Sequence, residues 1–320
     1  MIGRRSLLLL GAGAVLGLAA ALLRVVGCLA PAERYDDGVV FQSDWTTDTG
    51  PSRNAVRDGG RWKNYWEFNG GRPGQLLSVV PGASVNAPGG RNALKVVQRG
   101  TSGYAANVQQ DKVVPPSTDY YVRFYMRNDD TSQQGDHVVT VDTWEYPNLT
   151  FVRKSSSSTS WQPISSFYGC GYVYPIGHWY SAKRLALGAW YRFEFWVHYV
   201  DATHIQVHPR VYDASNVLVL TESDYRQEDF GLQVWNGRSD WTLATYYAAG
   251  LTFCVQDYVA SHSGGRSITN FGMGNNGNSS ATDTGLFWYF AAVQIRDDTW
   301  AGPIGGPSVA PGAPSGVMIQ

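Results

Sequence analysis

The 320-residue chain reads as all-β, a sandwich of two antiparallel sheets, on three grounds. It is rich in strand and turn formers, with 12 Trp, 19 Tyr, 12 Phe and 36 Gly against only 16% charged residues. From Val39 to the Asp297-Asp298 pair, short alternating or apolar runs are separated by Gly, Asn, Asp, Ser and Pro clusters. Beyond the first 32 residues no long segment repeats with the 3.6-residue period of a helix.

Taken along the chain, residues 1–32 come first. Arg4 and Arg5 precede an apolar run over 7–23 and small residues follow, the layout of an export signal that stands outside the fold. The paired arginines fit a twin-arginine signal or an ordinary secretion signal. Val25-Val26-Gly27-Cys28 resembles a lipobox, in which Cys28 would be lipidated, whereas a cut after Ala30 or Ala32 would release a soluble protein. An uncleaved 17-residue run is at the short limit for an anchor. The expected location is extracellular or in the cell envelope, with membrane attachment only through this leader. The leader holds three arginines and no acidic residue, so beyond it 22 basic groups face 26 acidic ones, a balance that excludes nucleic acid as a partner.

Residues 33–301 form the expected domain. Its clearest strands are 76–80, 93–98, 120–127, 137–144, 190–200, 204–212, 217–220 and 285–295, each an apolar or alternating run bounded by turn formers. Polar stretches at 81–90, 129–136, 154–160 and 275–283 read as rim loops of a jelly roll. Residues 302–320 turn to Gly, Pro, Ala and Ser and read as an extended tail. Beyond the leader the cysteines are Cys170 and Cys254, candidates for a disulfide in an oxidising compartment.

One hairpin is legible residue by residue. If Asp201-Ala202-Thr203 joins 190–200 to 204–212, Val200 faces His204, His198 faces Gln206, Trp196 faces His208, Glu194 faces Arg210 and Arg192 faces Tyr212. Alternation puts these even-numbered residues on one face and Tyr191, Phe193, Phe195, Val197, Tyr199, Ile205, Val207 and Val211 on the other, the core. Pro209, which has no N–H, belongs at a bulge or on a side without a partner strand. In 120–127 the apolar face of Tyr120, Val122, Phe124 and Met126 opposes Tyr121, Arg123, Tyr125 and Arg127. Trp62, Tyr65, Trp66, Trp144, Tyr146, Trp161, Trp179, Trp235 and Trp241 lie close to turns, where rings either stack on sugars or fill the space between sheets.

The aromatic strand entered through Gly188-Ala189-Trp190-Tyr191, the short turn, the second strand and a last strand ending in acidic residues resemble the concanavalin A-like jelly roll of lectins, laminin G-like modules, glycoside hydrolases and the heparinase and alginate-lyase group. The resemblance implies a glycan groove on one concave sheet, and hence that Arg192, Trp196, His198, Gln206, His208, Arg210 and Tyr212 bind a polysaccharide or glycoconjugate. Gln206-Val207-His208 is similar to the Gln-Ile/Val-His motif of alginate lyases. Under that alternative, uronate β-elimination, His208 and Tyr212 would be base and acid, and Gln206 with Arg123 or Arg210 would hold the carboxylate. The family's later lysine and tyrosine are absent from Tyr289-Phe290-Ala291-Ala292. A glycosidase would need paired carboxylates, and Asp142-Thr143-Trp144-Glu145 lacks the Glu-x-Asp-x-Glu spacing. A structural or adhesive cell-surface module is the third reading. Asp129, Asp130 and Asp136, or Asp44 with Asp297 and Asp298, carry oxygens suited to a structural calcium, but loop aspartates are ordinary turn formers and no cofactor or metal is expected.

Overall fold

The structure, a computed structural model, describes residues 38–68, 76–98, 105–111, 117–129, 136–141, 148–154, 159–168, 175–201, 204–227, 241–254, 270–275 and 286–305. The leader with Cys28, Cys170, most of the tail, and Trp144, Tyr146 and Trp235 lie outside these residues. The strands are β1 (Val39–Ser43), β2 (Asn64–Phe68), β3 (Leu77–Val80), β4 (Ala93–Gln98), β5 (Ala105–Asp111), β6 (Asp119–Asn128), β7 (Asp136–Val141), β8 (Asn148–Lys154), β9 (Ser160–Tyr168), β10 (Pro175–Ser181), β11 (Leu185–Ala186), β12 (Trp190–Tyr199), β13 (His204–Tyr212), β14 (Leu218–Thr221), β15 (Tyr225–Gln227), β16 (Phe253–Cys254), β17 (Asn270–Asn275) and β18 (Leu286–Arg296). Among the described residues three short helices accompany them: α1 (Arg53–Val56), α2 (Gly82–Val85) and α3 (Leu243–Ala248). Among the described residues no helix is long and apolar enough to cross a membrane.

All pairings are antiparallel. One sheet runs β14-β13-β12-β6-β18-β4-β3, with β1 on β18 and β16 on β13; the other runs β15-β10-β9-β8-β7-β17-β5-β2, with β11 on β9. The two stack through aromatic rings. Trp161 of β9 lies 6.0 Å from Phe193 of β12, and Phe41 of β1 meets Phe271 of β17 edge-on at 6.4 Å. This is the two-sheet jelly-roll sandwich read from the sequence. Trp62, Trp161 and Trp179 fill the space between the sheets and are almost wholly buried.

The β12–β13 hairpin has the expected register, from Arg192 opposite Tyr212 to Tyr199 opposite Ile205. Phe193, Phe195, Val197, Ile205, Val207 and Val211 are buried, and Phe124 of β6 stacks on Phe193 at 5.3 Å. Along β13 the odd positions alone are buried and the even ones are half-exposed. The odd positions also direct their backbone groups away from β12. Ile205 there meets β16 and Val211 meets β14, which leaves a gap beside Val207 and Pro209. Pro209 loses nothing, having no N–H to satisfy. Val207 is served by a side chain: the Tyr247 hydroxyl of α3 accepts from its N–H at 2.9 Å and donates to its C=O at 2.7 Å.

Two parts of the sequence reading differ from the structure. The stretch 81–90, read as a loop, holds α2 and a 3-10 turn at Pro88–Gly90. Gly82 is required there because a Cβ would lie 2.1 Å from the Arg91 carbonyl oxygen. In the second sheet β7 matches the strand read at 137–144, whereas β2, β5, β8, β9, β10 and β17 carry mixed Ser, Asn, Gln and Gly patterns and are additional to those read from apolar alternation.

Candidate functional site

The face of the first sheet turned away from the sandwich core is built from three adjacent strands, β6, β12 and β13. Their registers align side chains in rows across the strands: Asp119–His198–Gln206, Tyr121–Trp196–His208, Arg123–Glu194–Arg210 and Tyr125–Arg192–Tyr212. All seven residues expected to bind a ligand, and Arg123, therefore share one surface. Only the β12–β13 half of this was readable beforehand, since no short turn links β6 to β12.

The rows differ in access. The last two are covered. Arg123, Glu194 and Arg192 are 6%, 2% and 4% exposed. Residues 300–304 cross above them: Trp300 lies over the Arg210 guanidinium at 4.1 Å and edge-on to Tyr121 at 5.3 Å, and Arg123 donates to the Gly302 carbonyl at 3.1 Å. The Ile304 N–H donates to the Tyr125 hydroxyl at 3.2 Å. Arg192 pairs with Glu194 at 3.2 Å, donates to Asn216 at 2.6 Å and lies 4.0 Å over the Tyr212 ring. Burial pushes the Glu194 carboxyl up, against the pull of Arg192, Arg123 and Arg210, and pushes Arg123 down. A small apolar cluster of Val85, Ala87, Trp190, Tyr289 and neighbours closes the rest of this end, with Trp190 Nε1 donating to the Val85 carbonyl at 2.9 Å.

The first two rows are open except at Tyr121, which lies against Trp300 and is buried. Trp196, His198, Gln206 and His208 are each half-buried. Trp196 stacks between Tyr121 (6.3 Å) and His208 (4.4 Å), and His208 meets Tyr247 at 4.7 Å, so aromatic rings run across three strands to α3. Burial, reinforced by Asp119 and Asp298, pushes the Tyr121 hydroxyl up to about 12. Each histidine has a carboxylate. His208 Nδ1 lies 2.6 Å from Glu222, while its Nε2 is enclosed without a hydrogen-bond partner and its side chain is 12% exposed. His198 Nδ1 lies 2.9 Å from Asp119 and its side chain is 32% exposed. Gln206 donates to the Leu251 carbonyl at 3.3 Å. Asp119, Glu222, Tyr247 and the 300–304 segment are site residues that sequence reasoning missed. They come from four different places in the chain, and only Asp119, next to an already recognised strand, left a signal.

Of the acidic residues weighed for calcium, Asp44 pairs with Arg91, Asp129 with Arg127 at 2.7 Å and Asp298 with Arg296 at 2.9 Å, and Asp130 lies outside the described residues. Among the described residues no group of three or more His, Cys, Asp or Glu is placed to hold a metal ion. Cys254 sits in β16 opposite His204.

No family model matches the chain, and no curated protein matches it. Solved structures with a similar chain course include alginate lyase Aly36B (11% identity, covering 83% of this chain and 100% of that one, TM-score 0.39). The PL-14 alginate lyase from Aplysia kurodai is similar at 10% identity (81% and 99%, TM-score 0.45). A GH131 β-glucanase catalytic domain from Podospora anserina is similar at 11% identity (84% and 99%, TM-score 0.40). These likenesses concern the course of the chain and carry no chemistry.

Proposed function

We propose that the chain is an exported glycan-binding protein that holds a polysaccharide or glycoconjugate across the open rows of this face. One observation carries the reading. A stacked aromatic row, Tyr121–Trp196–His208, lies directly beside a hydrogen-bonding row, Asp119–His198–Gln206; solvent reaches Trp196 and His208 of the first and all three residues of the second, while Tyr121 is buried beside Trp196. A sugar ring presents the complementary pair, an apolar C–H face and a rim of hydroxyls. Arg210 borders the open rows, while Tyr212 and Arg192 stand one row further along, at the covered end.

Binding is better supported than elimination. A lyase must neutralise a uronate carboxylate, yet Arg123 bonds within the protein, the Arg210 guanidinium is stacked on the Trp300 ring, and His208, the motif histidine, has its free nitrogen enclosed. The lyase reading keeps one favourable observation, a carboxylate-held imidazole on an open surface at His198.

The test is a glycan-affinity screen of the full chain, with Trp196→Ala and Gln206→Ala beside it. Binding that weakens about tenfold or more in Trp196→Ala supports the reading. Absence of binding to any glycan would overturn it in favour of a structural or adhesive module. Ultraviolet absorbance from unsaturated uronate during incubation with alginate, lost in His208→Ala, would replace binding by β-elimination.

A further inference from the structure

Asp119 stands at the start of β6, opposite His198, and its two oxygens serve three donors. Oδ1 accepts from Trp196 Nε1 at 2.7 Å and lies 2.9 Å from His198 Nδ1, while Oδ2 accepts from the Thr118 hydroxyl at 2.7 Å. Burial pushes this carboxyl up, but the bonds from Thr118, Trp196 and His198 outweigh it and hold the group below the ordinary aspartate range. At neutral pH Asp119 is therefore ionised, and an ionised carboxylate only accepts. The proton of the contact must sit on His198 Nδ1. In the neutral ring Nε2 is then a lone pair, and among the described residues it has no hydrogen-bond partner. The same oxygen fixes the plane of Trp196, whose ring lies 5.3 Å from that of His198. His208 has the equivalent carboxylate in Glu222, but its Nε2 faces protein.

The geometry points to Asp119 as the positioning residue of this face: it makes His198 Nε2 a hydrogen-bond acceptor, so the ligand group met there is a sugar hydroxyl rather than a carboxylate. The ligand half of this inference rests on the glycan-binding reading; the imidazole half does not. A hydroxyl donates into the lone pair, whereas a carboxylate would face an acceptor next to an anion.

Two measurements on the full chain test the two halves separately. Ring nitrogen–proton correlation spectra at pH 8, assigned by the signal lost in His198→Gln, report the tautomer. Wild type is expected to show the Nδ1–H form, Asp119→Asn to keep it because an amide oxygen still accepts, and Asp119→Ala to shift toward Nε2–H, the form a free imidazole prefers. An Nε2–H ring in wild type, or an unchanged ring in Asp119→Ala, would overturn the positioning role. Calorimetric titration with cellohexaose, laminarihexaose and an alginate hexamer tests the ligand. A neutral hexamer is expected to bind about tenfold or more tighter than the alginate hexamer, with the preference lost in Asp119→Ala. Preference for the alginate hexamer would overturn the hydroxyl assignment alone. Binding of none of the three would overturn that assignment and count against the glycan reading, while the tautomer spectra still decide the role of Asp119.

Discussion

Replacing Tyr247 by Phe removes one oxygen atom from the edge of the site and should destabilise the whole domain. That oxygen fills the gap in the sheet beside β13, accepting from Val207 N–H at 2.9 Å and donating to Val207 C=O at 2.7 Å. Val207 itself is 1% exposed, so water does not replace the lost partner easily. The phenylalanine ring keeps the contacts with His208 and Phe253, at 4.7 and 6.0 Å, and adds no volume. What remains is one backbone donor and one acceptor stranded at a buried position, each costing about 1 to 3 kcal/mol, partly relieved by local adjustment. The net expectation is about 2 to 4 kcal/mol, or a fall in Tm of roughly 4 to 7 °C for a domain of this size. Calorimetry and urea unfolding followed by tryptophan fluorescence measure it. Tyr246→Phe is the control, because its hydroxyl makes a single bond, to the Thr252 carbonyl at 3.0 Å, and should cost about 1 kcal/mol. A Tm within about 1 °C of wild type for Tyr247→Phe would refute the idea that a side chain completes this ladder.

Asp58 offers an acid-side test: burial pushes its carboxyl up, but bonds from Ser43, Arg61 and Thr47 hold it below the usual value, and Asp44 and Trp45 N–H groups also donate to it. Its folded pKa is lowered, so its contribution is complete above about pH 4 and is lost as pH falls through the lower folded value. Asp58→Asn should cost about 2 to 4 kcal/mol at pH 7 and flatten the acid limb of stability measured by urea midpoints. On the alkaline side, burial lifts Tyr121 and Tyr246 to about 12, so their contribution to stability should be complete below about pH 10 and decline above it, as unfolded tyrosines ionise first. A urea midpoint unchanged between pH 9 and pH 11.5 would contradict this. Gly82→Ala should cost about 2 to 3 kcal/mol because the new methyl meets backbone, not a movable side chain; a thermal melt equal to wild type would show that α2 shifts freely.

The hairpin was legible because its turn is three residues long and its two strands alternate without interruption, so register followed from parity. The pairing of β6 with β12 was not, since 61 residues separate Asn128 from Trp190 and many registers are compatible with two amphipathic strands. That pairing decides the chemistry. It sets Asp119 beside His198 and buries Arg123 against Glu194. The covering of Arg192 and Arg123 was equally hidden: residues 302–304 look like the start of a Gly/Pro-rich tail, yet their backbone groups bond to Arg123 and Tyr125. Apart from β7, the second sheet escaped because strands such as Ser160–Tyr168 and Asn148–Lys154 mix hydroxyls, amides and prolines with apolar residues, a pattern that turns also show.

The place of β18 in the first sheet sets the order in which this protein can be assembled. It is the last strand in chain order among the described residues, yet it lies between β6 and β4 and also carries β1. Until it arrives, β4 with β3 and β6 with β12, β13 and β14 are half-sheets, each with an open hydrogen-bonding edge facing the vacancy. Synthesis therefore leaves the chain sticky for most of its length, and closure depends on contacts between distant residues such as Gln42 and Gln294, which slows folding. A chain halted before residue 286 would not be a shorter sandwich but two unjoined pieces competing to pair with the wrong neighbour.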